Sequence, residues 1–534
     1  MRRKIAQLLN SANSFRQAAS ILVATSLASN ILGLVRNTVI AKNITLVQQD
    51  NFWSAFLLPD IVFNVLIFGA ISSAFIPLFR GLLVKKRTKD AWQLAGNFLA
   101  KISILVIVLS GILFVFMPSL SHLIFPLLNS QDLAEVILLS RVLLIQTILI
   151  GTSYVVGGIL NSKKRFFAYS MSPLLYNISM IIGAFIAPLY GANAVQVLIW
   201  SVVIGAALHL LVQIPSLIAV GFKLRYLNLG KNNFSREIVR LMTPRSISLG
   251  IISFNAIIFA SIARNILEPG AFSIFRLVES FQTAPIAIFA NAIAVAIFPI
   301  LTEHAARENW PKFTDALEKA IRFVLFTLIP STVIFIILRA QIIRLYIGLG
   351  SSITWEETIS AIEVFGWFAI GIVPTGLVAI LARSFYAVKN TLIPMLIALL
   401  QLVFGVSAAY SLAVTTTFGA SSLAIATSAA VLVQFTIMYI AYVYFIKKPL
   451  NEIRIVKTGV HTALVSAAMA GVMWWSLRLV HYLYESSTTG ISTKVVEGLL
   501  LQSGVAFIAG ILTFYLLSKL WLKEELSWLK KIKK

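Results

Sequence analysis

The segment Ala19–Ile40, ASILVATSLASNILGLVRNTVI, is long and apolar enough to cross a membrane as one helix. It nevertheless contains an arginine, Arg36. An arginine at the centre of a membrane helix costs roughly 2.5–3.5 kcal/mol on insertion scales, so it usually faces a protein interior or a water-filled cavity. An arginine near a helix end instead extends its guanidinium to the membrane surface. The segment therefore predicts a membrane-spanning helix, with Arg36 as a candidate for the substrate pathway.

The whole chain has the composition of a polytopic membrane protein. Of its 534 residues, 59% are hydrophobic and 12% are charged, whereas a soluble domain has about 25% charged residues. The net charge of +24 is located in short loops between apolar stretches. We attribute this charge to membrane topology and expect no nucleic-acid partner.

Several classes of chemistry are excluded by what the sequence lacks. It has no cysteine, so it has no disulfide, thiolate metal ligand or thiol nucleophile. Its five histidines are scattered without a metal-binding spacing, and it contains no phosphate-binding loop for ATP. We therefore expect no catalytic residue, no metal and no cofactor. The sequence predicts a transporter rather than an enzyme, driven by the membrane potential or an ion gradient.

Apolar stretches of about 20 residues, the length that crosses a bilayer, recur along the chain. They predict an all-α polytopic fold with about fourteen transmembrane helices. The predicted spans lie near residues 19–41, 52–79, 94–117, 138–160, 170–189, 194–221, 246–264, 271–301, 323–346, 359–388, 391–414, 421–446, 459–482 and 496–518.

Basic residues concentrate in every second loop, as at Lys85–Lys89, Lys163–Arg165 and the tail Lys519–Lys534. The intervening loops contain little more than Lys42 and Lys494. Because cytoplasmic loops carry an excess of lysine and arginine, this alternation predicts that both termini are cytoplasmic.

A short motif occurs twice. Ala70–Phe79 reads AISSAFIPLF and Ala292–Leu301 reads AIAVAIFPIL, at an offset of 222 residues. We interpret the pair as a duplicated six-helix unit, with chance similarity between common membrane residues as the alternative. The duplication predicts one lobe at 1–222, a second lobe in the same orientation at 223–446, and two extra helices with a basic tail at 447–534.

Four motifs in the right order resemble the MurJ/MviN lipid II flippases. They are Leu32–Lys42 (LGLVRNTVIAK), Gly69–Pro77 (GAISSAFIP), Gly158–Ile182 (GILNSKKRFFAYSMSPLLYNISMII) and Leu381–Pro394 (LARSFYAVKNTLIP). The resemblance implies the multidrug/oligosaccharidyl-lipid/polysaccharide exporter fold, in which two six-helix lobes surround a cavity. It also implies translocation of lipid-linked peptidoglycan precursor, from the inner to the outer leaflet of a bacterial cytoplasmic membrane, by alternating access.

The resemblance also implies a site for the diphosphate head group, since arginine holds phosphate through bidentate, charge-assisted hydrogen bonds. Arg36 and Asp50 match the family pattern. Asn30, Asn64 and Ser280 stand where the family usually has arginines. The candidate substrate-binding residues are Asn30, Arg36, Asp50, Asn64, Arg276, Glu279 and Ser280.

Arg276 lies one helical turn before Ser280, and we interpret it as a substitute for the arginine that is absent there. Arg276 and Glu279 are spaced i,i+3, so they can also pair with each other on one helix face. Asn255 and Gln401 stand in the region of a sodium site of some family members, but no acid accompanies them, so we do not expect sodium coupling.

The sequence is also compatible with three other functions. They are a flippase for another polyprenyl-diphosphate-linked glycan, an ion-coupled exporter of small cationic compounds that uses Asp50, Glu279 and Glu363, and a scaffold that recruits enzymes through Lys519–Lys534. The expected partners are the lipid-linked precursor, membrane lipids and cell-wall synthesis enzymes, and we expect a monomer.

Overall fold

The computed structural model describes residues 15–68, 71, 75–230, 235–347, 352–485 and 496–532. Within these ranges every regular element is helical, which confirms the predicted all-α fold class. Some sequence features fall elsewhere: the basic residues at 2–4, residues 70 and 72–74 of the first repeat motif, and Lys494 lie outside the described residues.

By internal packing the chain divides into two units, Met1–Asn265 and Ile266–Lys534. The helices of the first unit are α1 (Phe15–Asn43), α2 (Leu46–Val62), α3 (Ile76–Val84), α4 (Thr88–Ile124), α5 (Ser130–Ser162), α6 (Phe166–Ile186), α7 (Ala194–Leu211), α8 (Ile214–Ala219) and α9 (Ser235–Ile266), whose final residue already belongs to the second unit.

The second unit continues the helical pattern. Its helices are α10 (Ala271–Pro285), α11 (Ala292–Ala306), α12 (Trp310–Tyr346), α13 (Trp355–Ile370), α14 (Ile372–Ala387), α15 (Leu392–Thr415), α16 (Ser421–Ala441), α17 (Glu452–Glu485), α18 (Val496–Trp521) and α19 (Lys523–Ile532). The division by packing places α9 with the first unit, whereas the sequence repeat places it at the start of the second lobe. The boundaries 1–222, 223–446 and 447–534 therefore stay a prediction.

Eleven helical segments in the described part of the chain are long and apolar enough to cross a membrane. One of them, Phe166–Ala219, has 54 residues and comprises α6, α7 and α8, which is enough for two crossings. The chain is thus a multi-pass membrane protein, while the number fourteen stays a prediction.

The helices reproduce the internal repeat seen in the sequence. α4 and α12 are each 37 residues long and begin at Thr88 and Trp310, which are 222 positions apart. A proline-containing helix followed by a short π-helical turn also occurs in both units, at Phe63–Phe68 and Ile286–Asn291. Proline removes one helical hydrogen bond, so both helices are interrupted close to their π turns, at Pro59 and Pro285.

Two apolar cores hold the first unit together. One lies between α3, α4 and α5, where Phe75 and Phe98 stack with ring centroids 4.7 Å apart. The other joins α1, α2, α5, α6 and α7 around Ile40, Phe52 and Leu198. Small residues allow close approach in this second core, since a Cβ added to Gly183 of α6 would lie 2.2 Å from Ser201 of α7. The second core fixes α1 against α6 and thereby positions Arg36.

The second unit is built around the long helix α12. Phe313 and Val324 of α12 are fully buried in a core shared with α11 and α14. Further along, Leu338 of α12 contacts the buried Met469 and Met473 of α17. One continuous helix thus supports both the repeated part of the unit and the two C-terminal spans.

Candidate substrate-binding site

Arg36 lies on α1 at the face that packs against α6, and its side chain is half-buried. Its Nε and Nη2 donate to Oδ1 of the adjacent Asn37 at 3.0 and 2.9 Å. Its Nη1 donates to Oδ1 of Asn177 on α6 at 3.0 Å. The guanidinium is therefore held from two sides in one orientation.

Neither amide that accepts from Arg36 carries a formal charge. Asn177 is itself oriented, because its Nδ2 donates to the carbonyl and hydroxyl oxygens of Ser29 at 3.4 Å. Amide acceptors position a guanidinium without neutralising it, unlike a carboxylate. The arrangement suits an arginine that must meet an anionic ligand.

Two of the predicted substrate-binding residues are asparagines, Asn30 on α1 and Asn64 after α2. Asn30 is exposed on α1, one residue after Ser29. Asn64 lies in the π-helical turn after α2, and its Nδ2 approaches Ser253 Oγ of α9 at 3.4 Å, the long end of hydrogen-bond distances. Both stay predicted contacts of the substrate.

Asp50 has a defined structural partner. Its Oδ2 accepts from Nη1 of Arg264, at the end of α9, at 3.0 Å, and the two side chains are only 2% and 4% exposed. Asp50 lies in the second turn of α2, whose start is fixed by the Thr45–Gln48 capping box. The predicted role of Asp50 in substrate binding stays a prediction beside this ion pair.

The pair extends into a polar network. Asn51 Oδ1 accepts from Nη2 of Arg264 at 2.5 Å, and Asn51 Nδ2 donates to Asp132 and Glu135 of α5 at 2.9 and 2.7 Å. Asn129 caps α5 by accepting from the backbone N–H of Asp132 at 2.8 Å. The starts of α2 and α5 and the end of α9 are thereby tied together.

Arg264 was not among the candidate residues, although its position in the sequence indicates that it has a partner. It ends the predicted span 246–264, at the side where the loops contain few cations. An arginine that departs from the positive-inside pattern indicates a carboxylate partner at the same depth. Asp50, at the start of the predicted second span, lies on that side too, and the structure pairs the two.

In the second unit, the predicted pairing of Arg276 with Glu279 on α10 is confirmed. Arg276 Nη1 lies 2.8 Å from Glu279 Oε2, and the side chains are 40% and 37% exposed. Ser280 donates from Oγ to the carbonyl oxygen of Leu277 at 2.7 Å. Ser280 therefore satisfies its hydroxyl within its own helix, while Arg276 projects from the same helix one turn earlier.

We expect Arg276→Ala to change the free energy of unfolding by less than about 1 kcal/mol, because exposed ion pairs contribute little in water. The melting temperature of the purified protein in detergent measures this, with Glu279→Ala as the matched control. A loss comparable with that from breaking a buried pair would show that the pair faces hydrocarbon instead of water.

The sequence profile of the family described as "Lipid II flippase MurJ" matches residues 45–524, which is most of the chain. The chain belongs to the MurJ family. As a member of this flippase family it is a transporter and not an enzyme, which confirms that prediction, and its place is the cytoplasmic membrane.

Relatives of the MurJ family cover most of the chain. A probable lipid II flippase MurJ of Bdellovibrio bacteriovorus is 27% identical over 402 residues, covering 74% of this chain and 76% of the relative. The probable lipid II flippase MurJ of Treponema pallidum is 24% identical over 508 residues, covering 91% and 93%.

Solved structures show the same fold. A lipid II flippase MurJ in an inward closed conformation superposes with a TM-score of 0.72 at 21% identity, covering 94% of this chain and 99% of that one. An inward-facing multidrug resistance MATE family transporter of the MOP superfamily superposes with a TM-score of 0.65 at 15% identity, covering 82% and 98%. The predicted exporter fold is confirmed for this MurJ family member.

Proposed function

We propose that this chain translocates lipid II, a lipid-linked peptidoglycan precursor, from the inner to the outer leaflet of the cytoplasmic membrane by alternating access. Family membership over residues 45–524 supports the cargo. The repeated unit, with its proline and π-helical turn in each copy, supports a transporter whose two halves move as similar bodies.

The observation that carries the site proposal is the orientation of Arg36 by neutral amides. A diphosphate ester is anionic and offers several acceptor oxygens to a guanidinium. Asn37 and Asn177 accept from Arg36 at 2.9–3.0 Å and fix the orientation of its guanidinium. Arg36 would exchange these amide bonds for stronger bonds to phosphate oxygens, and Asn30 and Asn64 would add amide donors.

The alternative of a small-cation exporter is less favoured by the structure. Such a transporter needs carboxylates that are available to the cation. Of the three acids predicted for that role, Asp50 is paired with Arg264 and Glu279 with Arg276, which leaves Glu363, exposed on α13. A different polyprenyl-diphosphate-linked glycan remains the second candidate cargo, because Arg36 would bind the same diphosphate.

The remaining parts of the proposal follow from the sequence. We place both termini in the cytoplasm from the alternation of basic loops. We take the membrane potential or an ion gradient as the driving force, and membrane lipids and cell-wall synthesis enzymes as further partners. We treat the monomer as the working unit.

Rescue of a bacterium depleted of its own lipid II flippase tests the proposal. We expect the wild-type chain to restore growth and to restore the exposure of lipid II to a hydrolase added outside the cell. A chain that reaches the membrane at a normal level and restores neither would contradict lipid II as cargo. Proteoliposomes containing a different lipid-linked glycan would then test the second candidate directly.

A further inference from the structure

Two turns in the first unit share both sequence and backbone geometry. Lys85–Arg87, between α3 and α4, and Lys163–Arg165, between α5 and α6, each read Lys-Lys-Arg. The middle lysine has a positive φ in both turns, 57° at Lys86 and 59° at Lys164. We refer to Lys85–Arg87 and Lys163–Arg165 as the two basic turns.

The same hydrogen bonds close both basic turns. The arginine N–H donates to the carbonyl oxygen five residues earlier, at 3.0 Å for Arg87 to Leu82 and 2.8 Å for Arg165 to Leu160. Glycine is the usual residue at such a left-handed position, and another residue there costs roughly 1–2 kcal/mol. Each turn thus keeps a lysine where backbone conformation favours glycine.

The second unit provides an internal control for these turns. Arg307–Asn309 and Val388–Asn390 have the same backbone form, with φ of 54° at Glu308 and 62° at Lys389. Their sequences, Arg-Glu-Asn and Val-Lys-Asn, have formal charges of 0 and +1, against +3 for each basic turn. The turn geometry therefore does not require three cations.

Lys163 of the second basic turn contacts α4, the helix that follows the first basic turn. Lys163 Nζ lies 5.0 Å from the ring centroid of Trp92, which follows Arg87 by five residues on α4, roughly 7.5 Å along the helix axis. Trp92 stacks on Tyr226 at 6.0 Å, and the guanidinium of Arg225 lies 5.5 Å from the centroid of Tyr226. Lys163 and Arg225 thus lie on the two sides of an aromatic pair in which Trp92 is buried.

Some of these cations are partly removed from water. Nη1 of Arg165 is buried and has no hydrogen-bond partner among the residues that the structure describes. Burial lowers the pKa of the Lys163 ammonium from its usual value. A nearby anion would offset both effects, because it accepts from the guanidinium and favours the charged ammonium.

The basic turns lie where membrane spans end. The apolar helix Ser130–Ser162 stops just before Lys163, and the apolar helix Thr88–Ile124 begins just after Arg87. Each turn thus adjoins the end of an apolar helix, where basic side chains extend toward lipid head groups. At this depth the abundant anions are phospholipid phosphates, to which basic residues contribute about 1 kcal/mol each.

We propose that the two basic turns bind the phosphate of an anionic phospholipid in the adjacent leaflet, which the predicted topology makes the cytoplasmic one. The ligand is a membrane phospholipid, anchored by its acyl chains beside α4 and α5. The site is separate from Arg36 and does not depend on the proposed cargo.

Native mass spectrometry of the full-length protein in detergent tests this proposal with phosphatidylglycerol and phosphatidylcholine as probes. The wild type is expected to bind phosphatidylglycerol more tightly. The triple variant Lys163→Gln, Lys164→Gln, Arg165→Gln is expected to bind it at least about tenfold more weakly. The triple variant Lys312→Gln, Lys389→Gln, Lys457→Gln removes the same charge from the second unit and is expected to stay within about twofold of wild type.

Several results would overturn the proposal. It would be overturned if the wild type showed no preference between the two lipids, or if both triple variants lost phosphatidylglycerol binding equally. Displacement of phosphatidylglycerol by an equal concentration of inorganic phosphate would assign the turns to a soluble anion. The variant Lys163→Arg, Lys164→Arg keeps the charge and should keep binding, and its failure at an unchanged melting temperature would show that charge is not the determinant. None of these readouts depends on lipid II transport.

Discussion

Replacing Arg36 with alanine is expected to abolish rescue of a flippase-depleted bacterium while the protein still reaches the membrane. Hydrogen bonds to charged groups are worth roughly 1.5–3 kcal/mol, so losing the guanidinium would weaken diphosphate binding about 10- to 150-fold. The site offers amides at Asn30 and Asn64 but no second arginine on α1 between Phe15 and Asn43 other than Arg16 at its start. Growth and the outer exposure of lipid II measure the loss.

Stability should change far less than function in this variant. The amide oxygens of Asn37 and Asn177 each lose a bond to Arg36. Neither amide is a charge left buried without a partner, so the cost is about 1 kcal/mol per lost bond. The melting temperature in detergent separates this small effect from the loss of transport.

Two further variants make the result specific. Arg36→Lys keeps the charge but loses the bidentate geometry, so it should rescue only partly. Arg141→Ala is the matched control from another span of the same unit. Arg141 donates to the carbonyl oxygen of Phe114 at 3.1 Å and lies 4.7 Å over the ring of Phe114, so its role is local. Full rescue by Arg36→Ala would refute the site assignment.

The sequence predicted those features that local physics determines. The apolar runs predicted the helices because each run must satisfy its own backbone hydrogen bonds in a membrane. The repeat predicted the recurrence of α4 as α12. The pairing of Arg276 with Glu279 followed from their i,i+3 spacing on one helix. The cost of its charge made Arg36 a candidate, and its role in substrate binding stays a prediction.

Long-range pairing could not be obtained in this way. Arg264 and Asp50 are 214 residues apart, and Arg36 and Asn177 are 141 residues apart. Several acids and amides were equally good partners by composition, and only tertiary packing selects among them. The two basic turns are a further example. Their charges predicted topology, but the left-handed lysines and the contact of Lys163 with Trp92 could be seen only in the fold.

The second large effect is expected from breaking the buried pair between Asp50 and Arg264. Removing one partner of a buried ion pair typically costs 3–5 kcal/mol, roughly, because the other charge is left without compensation. Asp50→Asn and Arg264→Met should each lower the melting temperature strongly. Arg264→Met should cost at least as much, because Asn51 also loses the donor that lies 2.5 Å from its Oδ1.

A double variant distinguishes a structural pair from two independent contributions. In Asp50→Leu, Arg264→Leu no unpaired charge remains, and replacing a buried pair with apolar residues is often close to neutral. The double variant should therefore be more stable than either Asp50→Leu or Arg264→Leu alone. Additive losses would show that the two side chains do not depend on each other.

The same variants decide what Asp50 does. If Asp50 serves only to neutralise Arg264, the double variant regains both stability and rescue. If Asp50 also contacts the substrate, the double variant regains stability but still fails to rescue. Arg264→Leu then loses rescue only in proportion to its loss of folded protein. The side chain of Asp50 is 2% exposed, so contact with a substrate would require it to leave Arg264 during transport. Stability without rescue would therefore be evidence that this pair opens in the transport cycle.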